Sequence, residues 1–231
     1  MNQSRKLLCQ LCGLPLTEDQ SFLSLLGIMS TDSNNLCDDC CNQLVLINDT
    51  FCPNCGRLQA TSEMCFDCIR WQNKGYPLLE HRAIYQYNDV MKTYMQQYKF
   101  NGDFLLKDLF NHDLIRLIDN SDKDIVVPIP VSHYTMQTRG FNQVSGMLNG
   151  QTLSDILSVT ASKKDHQSQF GRRERMNRQQ PFALNVSNQL VLDQRILLVD
   201  DVYTTGNTMY HAANLLYQAG AKTVKSISLA R

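Results

Sequence analysis

All nine cysteines of this 231-residue chain fall before residue 69, and none follows. They pair as Cys9/Cys12, Cys37/Cys40, Cys52/Cys55 and Cys65/Cys68, with Cys41 left over. A C-x-x-C turn brings two sulfurs onto one cation, and two such turns complete a tetrahedral four-cysteine site. Cys9-Gln10-Leu11-Cys12-Gly13 and Cys52-Pro53-Asn54-Cys55-Gly56 read as zinc knuckles, each with a glycine that lets the backbone fold over the second sulfur. The simplest arrangement is sequential: one zinc on Cys9, Cys12, Cys37 and Cys40, a second on Cys52, Cys55, Cys65 and Cys68. A crossed pairing of the four turns stays open at this level. Such metal is expected to be structural. A leading segment with few aliphatic clusters makes a poor core alone, and a closed zinc site supplies roughly 10 kcal/mol or more of folding free energy. Four cysteines also leave no open coordination position for a reacting water. Cys41 reads as a small buried hydrophobe, although exchange with Cys40 is conceivable.

Charge and hydropathy narrow the setting. Lys+Arg and Asp+Glu both total 22, so formal net charge is +0 and any nucleic-acid surface must be a local patch. Neither a long uncharged apolar run nor a basic-then-apolar leader is apparent, so membrane insertion and secretion are not expected, and the cytoplasm is. Disulfides are rare there, which favours metal over a disulfide framework.

Chemistry is expected in Ile196-Leu197-Leu198-Val199-Asp200-Asp201-Val202-Tyr203-Thr204-Thr205-Gly206-Asn207-Thr208. Four apolar residues predict a buried parallel strand, two acids sit at its end, and a small-residue loop opens a helix at Asn207. Backbone N–H groups at a helix N-terminus form a concave anion site favoured by the helix dipole. Gly206 allows positive φ and close approach, and Thr204, Thr205 and Thr208 add hydroxyl donors. Asp200 and Asp201 would lie beside sugar hydroxyls, as acceptors or through Mg2+. The order of these parts closely resembles the ribose-phosphate fingerprint of type I phosphoribosyltransferases.

The predicted organisation is a zinc-ribbon module over 1–72, a linker at Asn73-Lys74-Gly75-Tyr76-Pro77, and an α/β domain over 78–231 with a mostly parallel sheet. Expected elements are a strand from His81 to Tyr87, then a helix capped by Asp89 with Val90, Tyr94 and Tyr98 on one face. Lys99 to Asp103 breaks that helix, and a second amphipathic helix runs from Phe104 to Ile118. A buried strand from Asp124 to Pro130 precedes Arg139-Gly140-Phe141-Asn142-Gln143, where Arg139, Asn142 and Gln143 suit a second anion site. The segment from Lys163 to Arg178, with Lys163, Lys164, Arg172, Arg173 and Arg175, reads as an exposed basic loop, either a lid or a contact for a phosphate backbone. The last elements are a helix from Asn207 to Ala219, ended at Gly220, and a strand from Thr223 to Leu229.

Taken end to end, the chain resembles the ComF family of bacterial competence proteins. The resemblance is carried by the four C-x-x-C turns, Lys99 to Asp103, Pro128-Ile129-Pro130, Arg139 to Gln143, Gln167, Glu174-Arg175, Pro181-Phe182, Asp200 to Thr208 and Ala230-Arg231. It implies a double zinc ribbon joined to a type I phosphoribosyltransferase-like domain. Phosphoribosyl pyrophosphate (PRPP) with Mg2+ is the implied ligand, its pyrophosphate held by the Arg139 loop. The implied role is handling imported single-stranded DNA in natural transformation, beside a competence helicase or translocase. Thr135 departs from the family pattern, which often has arginine there. No segment stands out as the hood that recognises a nucleobase. That favours a PRPP-binding DNA accessory over an active Mg-dependent phosphoribosyltransferase with an unidentified acceptor.

Overall fold

A computed structural model describes residues 8–16, 36–48, 50–100, 104–160 and 180–231. Its centre is a four-stranded sheet in the order β1-β6-β5-β2, built from β1 (Glu80–Tyr85), β2 (Ile125–Pro128), β5 (Arg195–Val202) and β6 (Thr223–Ala230). Every neighbouring pair in it is parallel. The central strand β5 shows why its sequence is an unbroken apolar run: Leu197 and Val199 pack into one core, while Ile196 and Leu198 pack into another on the opposite face. A small antiparallel pair, β3 (Leu157–Val159) with β4 (Phe182–Leu184), lies outside this sheet.

The helices divide between the two faces. The Leu197 face is covered by α3 (Asp89–Phe100), α4 (Asn111–Asp119) and α6 (Gln143–Met147), through Met91, Tyr94, Leu114, Ile118 and Val144. On the other face Leu198 shares its core with α7 (Asn207–Gln218), whose Met209, Ala212 and Leu216 are buried. Neighbouring strands β2 and β5 therefore send their chains to opposite faces, which makes their carboxyl ends the switch point where α/β sheets place the crevice of their sites.

Several boundaries differ from expectation for physical reasons. Asn88 is the capping residue of α3, its Oδ1 accepting from the Met91 N–H at 3.2 Å, and Asp89 is the first helical residue. The helix expected from Phe104 to Ile118 is a 3₁₀ turn (Phe104–Asp108) followed by α4; the Leu106 carbonyl turns to accept both the Tyr94 hydroxyl (3.2 Å) and the Leu109 N–H (3.2 Å). Strand β2 ends at Pro128, two residues early, and β1 ends at Tyr85. Between Pro130 and Gln143 lies α5 (His133–Arg139), which starts at a Ser132 cap and stops at Gly140 with φ +84°.

The two cysteine groups dock on different sides of this sheet. Cys9, Leu11, Leu36, Cys37 and Cys40 share the core of α3 and α4, and α1 (Asp38–Gln43) carries Cys40. Cys52, Cys55, Cys65 and Cys68 share the core of α7, where α2 (Phe66–Asn73) lays Trp71 flat on Tyr210 at 4.6 Å. Tyr76, in the expected linker, packs edge-on against Trp71 at 4.9 Å.

Candidate functional site

The carboxyl end of β5 carries Asp200 and Asp201, both buried (7% and 5% exposed) although they lie at the end of the strand. Each is held by its own backbone: Asp200 Oδ1 accepts from the Asp201 N–H at 2.9 Å, and Asp201 Oδ1 accepts from the Val202 N–H at 2.8 Å. Asp201 Oδ2 has no hydrogen bond, and the ammonium of Lys99 pairs with it. Burial pushes the Asp200 carboxyl up to about 7, with Lys99 pulling the other way. The same burial brings the Lys99 ammonium down to about 8, with Asp200 favouring its charge and Arg139 opposing it. An acid and a cation whose pKa values converge near neutrality form a site where a proton or a metal can change the charge at small cost.

Past the acids the chain turns through Tyr203, Thr204, Thr205 and Gly206 into α7. Gly206 is required twice over. Its φ is +79°, and a Cβ there would run into the Tyr203 hydroxyl and come within 3.0 Å of the Tyr210 ring. Gly206 occupies the N-cap position of α7 with no side-chain cap, so the first N–H groups of a twelve-residue helix are left for an outside acceptor. Asn207 Oδ1 is buried without a partner. Thr204 is exposed, Thr208 is half-buried and Thr205 is buried.

The second expected anion site lies after β2. Arg139 closes α5 and donates to Gln143 Oε1, and the Gln143 carbonyl accepts from the Tyr98 hydroxyl at 2.9 Å. Burial lowers the Arg139 pKa. The Asn142 amide serves the fold: Nδ2 donates to the Ile129 carbonyl at 3.0 Å, and Oδ1 caps α6 through Val144 N (2.8 Å) and Ser145 N (3.4 Å). Thr135 lies in the first turn of α5, where its N–H donates to the Ser132 cap at 3.1 Å. Lys99 pairs with Asp201 and lies within electrostatic reach of both Asp200 and Arg139. The expected basic loop, with Lys163, Lys164, Arg172, Arg173 and Arg175, lies outside the described residues.

Lys99, which the sequence marks as the start of a helix break and part of the family pattern, is brought to the acids as a candidate site residue. Its signal is periodic: Met91, Met95 and Lys99 recur every four residues, and the two methionines are buried, so the lysine points inward too.

The cysteines group sequentially, and the crossed pairing does not occur. Cys9, Cys12, Cys37 and Cys40 bring four sulfurs within 4.8 Å of one another, as do Cys52, Cys55, Cys65 and Cys68. Separations of 3.5 Å (Cys12 to Cys37), 3.8 Å (Cys52 to Cys68) and 3.4 Å (Cys55 to Cys65) fit a tetrahedral zinc, whose ~2.3 Å bonds set sulfurs about 3.8 Å apart. Cys41 belongs to neither group and is partly buried against the first core. Hydrogen bonding from Cys68, helped by the nearby Arg231, lowers the Cys55 thiol to about 5.

Residues 98–231 match the family of the phosphoribosyl transferase domain, the class that this sheet and its carboxyl-edge acids define. Competence protein ComFC of Streptococcus pneumoniae is 35% identical over 96% of this chain and 99% of its own. Competence protein ComFC of Bacillus subtilis is 30% identical over 98% of this chain and 95% of its own. DNA utilization protein YhgH of Escherichia coli O157:H7 is 26% identical over 97% and 96%. The chain therefore belongs to the ComF family of competence proteins, a phosphoribosyl transferase domain preceded by two four-cysteine groups. Among the described residues no helix is long and apolar enough to cross a membrane.

Proposed function

We propose that this protein binds PRPP with Mg2+ in the crevice between β5 and β2, and serves in the cytoplasm as a DNA-handling accessory of natural transformation. The observation that carries this reading is the convergence of Asp200, Asp201, Lys99 and Arg139 in front of an uncapped helix N-terminus. The 5′-phosphate would rest on the N–H groups from Gly206 to Thr208, with the Thr204 and Thr205 segment and Asn207 around it. Asp200 and Asp201 would hold the ribose hydroxyls and Mg2+. Their oxygens suit a hard cation, and Asp201 Oδ2, ion-paired with Lys99 here, would be freed for one when the lysine moves. When bound, Mg2+ would supply charge neutralisation on the pyrophosphate, and orientation would be the work of the protein's own residues. Arg139 would meet the pyrophosphate while Gln143 and Asn142 hold Arg139 and the α5–α6 turn in place. In that state Lys99 would leave Asp201 for the incoming phosphates.

Zinc in both cysteine groups of residues 1–72 belongs to the same reading, each group seated on its own face of the sheet of 78–231. The names of the relatives, competence and DNA utilization, support single-stranded DNA and a competence helicase or translocase as partners. Turnover with a DNA end or another acceptor is the second reading, favoured by the lysine and acid poised near neutrality. Calorimetric titration of the zinc-loaded protein with PRPP and Mg2+ tests the pocket. Saturable binding that Asp200→Asn weakens at least tenfold is expected, with zinc content unchanged; heat-silent titration of the unaltered protein would overturn the reading.

A further inference from the structure

We propose that the second cysteine group is a positioning element of the 203–208 loop, acting through Trp71 and Arg231. This rests on reading that loop as the sugar-phosphate cradle. Cys65 is the N-cap of α2 and Cys68 lies in its first turn, so two of the four ligands set the direction of that helix. Three residues after Cys68, the Trp71 Nε1–H donates to the Thr205 carbonyl at 3.0 Å across a buried interface. The indole has no freedom to turn away: it is 1% exposed, stacked on Tyr210 and met edge-on by Tyr76 and His211.

A second line of contact starts at the metal-binding sulfur itself. Arg231 donates to Cys55 Sγ at 3.0 Å, and its guanidinium sits 4.5 Å from the centre of the Tyr203 ring. Tyr203 also lies 4.1 Å from the ring of His81, which is fully buried between the hydroxyls of Ser226 (2.9 Å) and Ser228 (3.2 Å). Tyr203 thereby has one position, and its hydroxyl fixes how closely the backbone at Gly206 must pass. Four thiolates on one Zn2+ keep a net negative charge, so Arg231 is the kind of outer partner that a bound metal strengthens. Thr205 on one flank and Tyr203 on the other are thus tied to one metal group. Trp71 and Arg231 are positioning residues, since each acts on the loop through another group.

The test measures hydrogen exchange, zinc content and PRPP–Mg2+ affinity on the full chain for the unaltered protein, Trp71→Phe and Arg231→Met. Trp71→Phe keeps a stacked ring and removes the N–H. Loss of one buried hydrogen bond to the loop is expected to weaken PRPP binding roughly tenfold. Exchange of the 203–208 amides should rise in both variants, while exchange in α3 and both zinc equivalents stay as they were. Unchanged loop exchange in both variants would overturn the proposal whatever the affinity does. If the unaltered protein binds no PRPP yet the variants free the loop, the coupling stands and the reading of the ligand falls.

Discussion

The two cysteine groups share one ligand motif and differ in nearly everything around it. In the second, all four cysteines are buried; in the first, Cys12 is exposed. The first group rests on α3, where Gln97 Nε2 donates to the Leu11 carbonyl at 3.1 Å, two residues before Lys99. The second is bonded to strand β1, to the residue after β6 and to the loop of the candidate site, through His81 N to the Asn54 carbonyl (2.6 Å), Arg231 to Cys55 and Trp71 to Thr205. Each therefore braces a different half of the crevice: the first supports the helix that carries Lys99, the second the loop that ends in Gly206. Equal motifs in a sequence do not imply equal roles; the role lies in what the outer surface of each knuckle touches.

Removing one ligand from each group is the strongest way to break this comparison. Cys68→Ser should lose one zinc equivalent, destabilise the protein by about 3 kcal/mol or more, and abolish measurable PRPP binding, because a fully buried ligand and the base of α2 go together. Cys12→Ser should weaken zinc binding in the first group without emptying it, because at this exposed position water can complete the three remaining cysteines. It should therefore cost less stability than Cys68→Ser and leave PRPP affinity within about threefold. Metal stoichiometry, denaturant unfolding and calorimetry read all three quantities. Equal losses of affinity in the two variants would erase the distinction.

Much of this site was legible in the sequence, and the unread part has a common cause. The strand Ile196 to Val199, the acids after it, Gly206 and the helix start at Asn207 are local patterns, and each fell where its periodicity put it. The pairing of the C-x-x-C turns was not fixed by sequence, because nothing local distinguishes Cys37 from Cys65 as a partner for Cys9. Contacts between distant segments were equally hidden. Trp71 meets Thr205 across 134 positions and Cys55 meets Arg231 across 176, and neither leaves a periodic trace. Asn142 adds a role that its place in a diagnostic motif did not reveal: its amide holds the end of β2 to α6.

The half of the crevice braced by the first group can be sharpened by pH. The Asp200 carboxyl is raised from 3.8 to about 7 by burial, so the folded state holds its proton more tightly than the unfolded chain. Its favourable contribution is complete below about pH 4 and is lost as pH rises through 7. The Lys99 ammonium is lowered from 10.5 to about 8, so from 8 to 10.5 the unfolded chain holds the extra proton and stability recovers with rising pH. These two groups together predict a minimum in stability between pH 7 and 8. Asp200→Asn should remove the falling limb, leaving the variant more stable than the unaltered protein at pH 7.5 by roughly 1–3 kcal/mol, and no more stable at pH 4. Lys99→Met should raise the Asp200 pKa further, extending the falling limb to higher pH while it still begins near pH 4. Denaturant midpoints across pH 4 to 10 give all three curves; parallel curves for Asp200→Asn and the unaltered protein would mean the acid is not held at the buried, raised pKa.

The smallest effect isolates the knuckles themselves. Gly13 and Gly56 follow the second cysteine of equivalent turns and have nearly the same backbone, with φ +73° and +67°. Alanine at either position carries the left-handed penalty, about 1 kcal/mol. A Cβ at Gly13 has nothing within 4 Å, whereas at Gly56 it would lie 3.4 Å from the His81 carbonyl, against strand β1 of the central sheet. An approach of 3.4 Å is ordinary van der Waals contact, so Gly56→Ala should cost more than Gly13→Ala by no more than roughly a few tenths of a kcal/mol in denaturant unfolding. It should also loosen the contact between Asn54 and His81, seen as faster exchange of the His81 amide, while Gly13→Ala leaves that amide alone. Since the two substitutions share their backbone strain, the difference between them measures only what lies outside the turn, which is where the two groups part company.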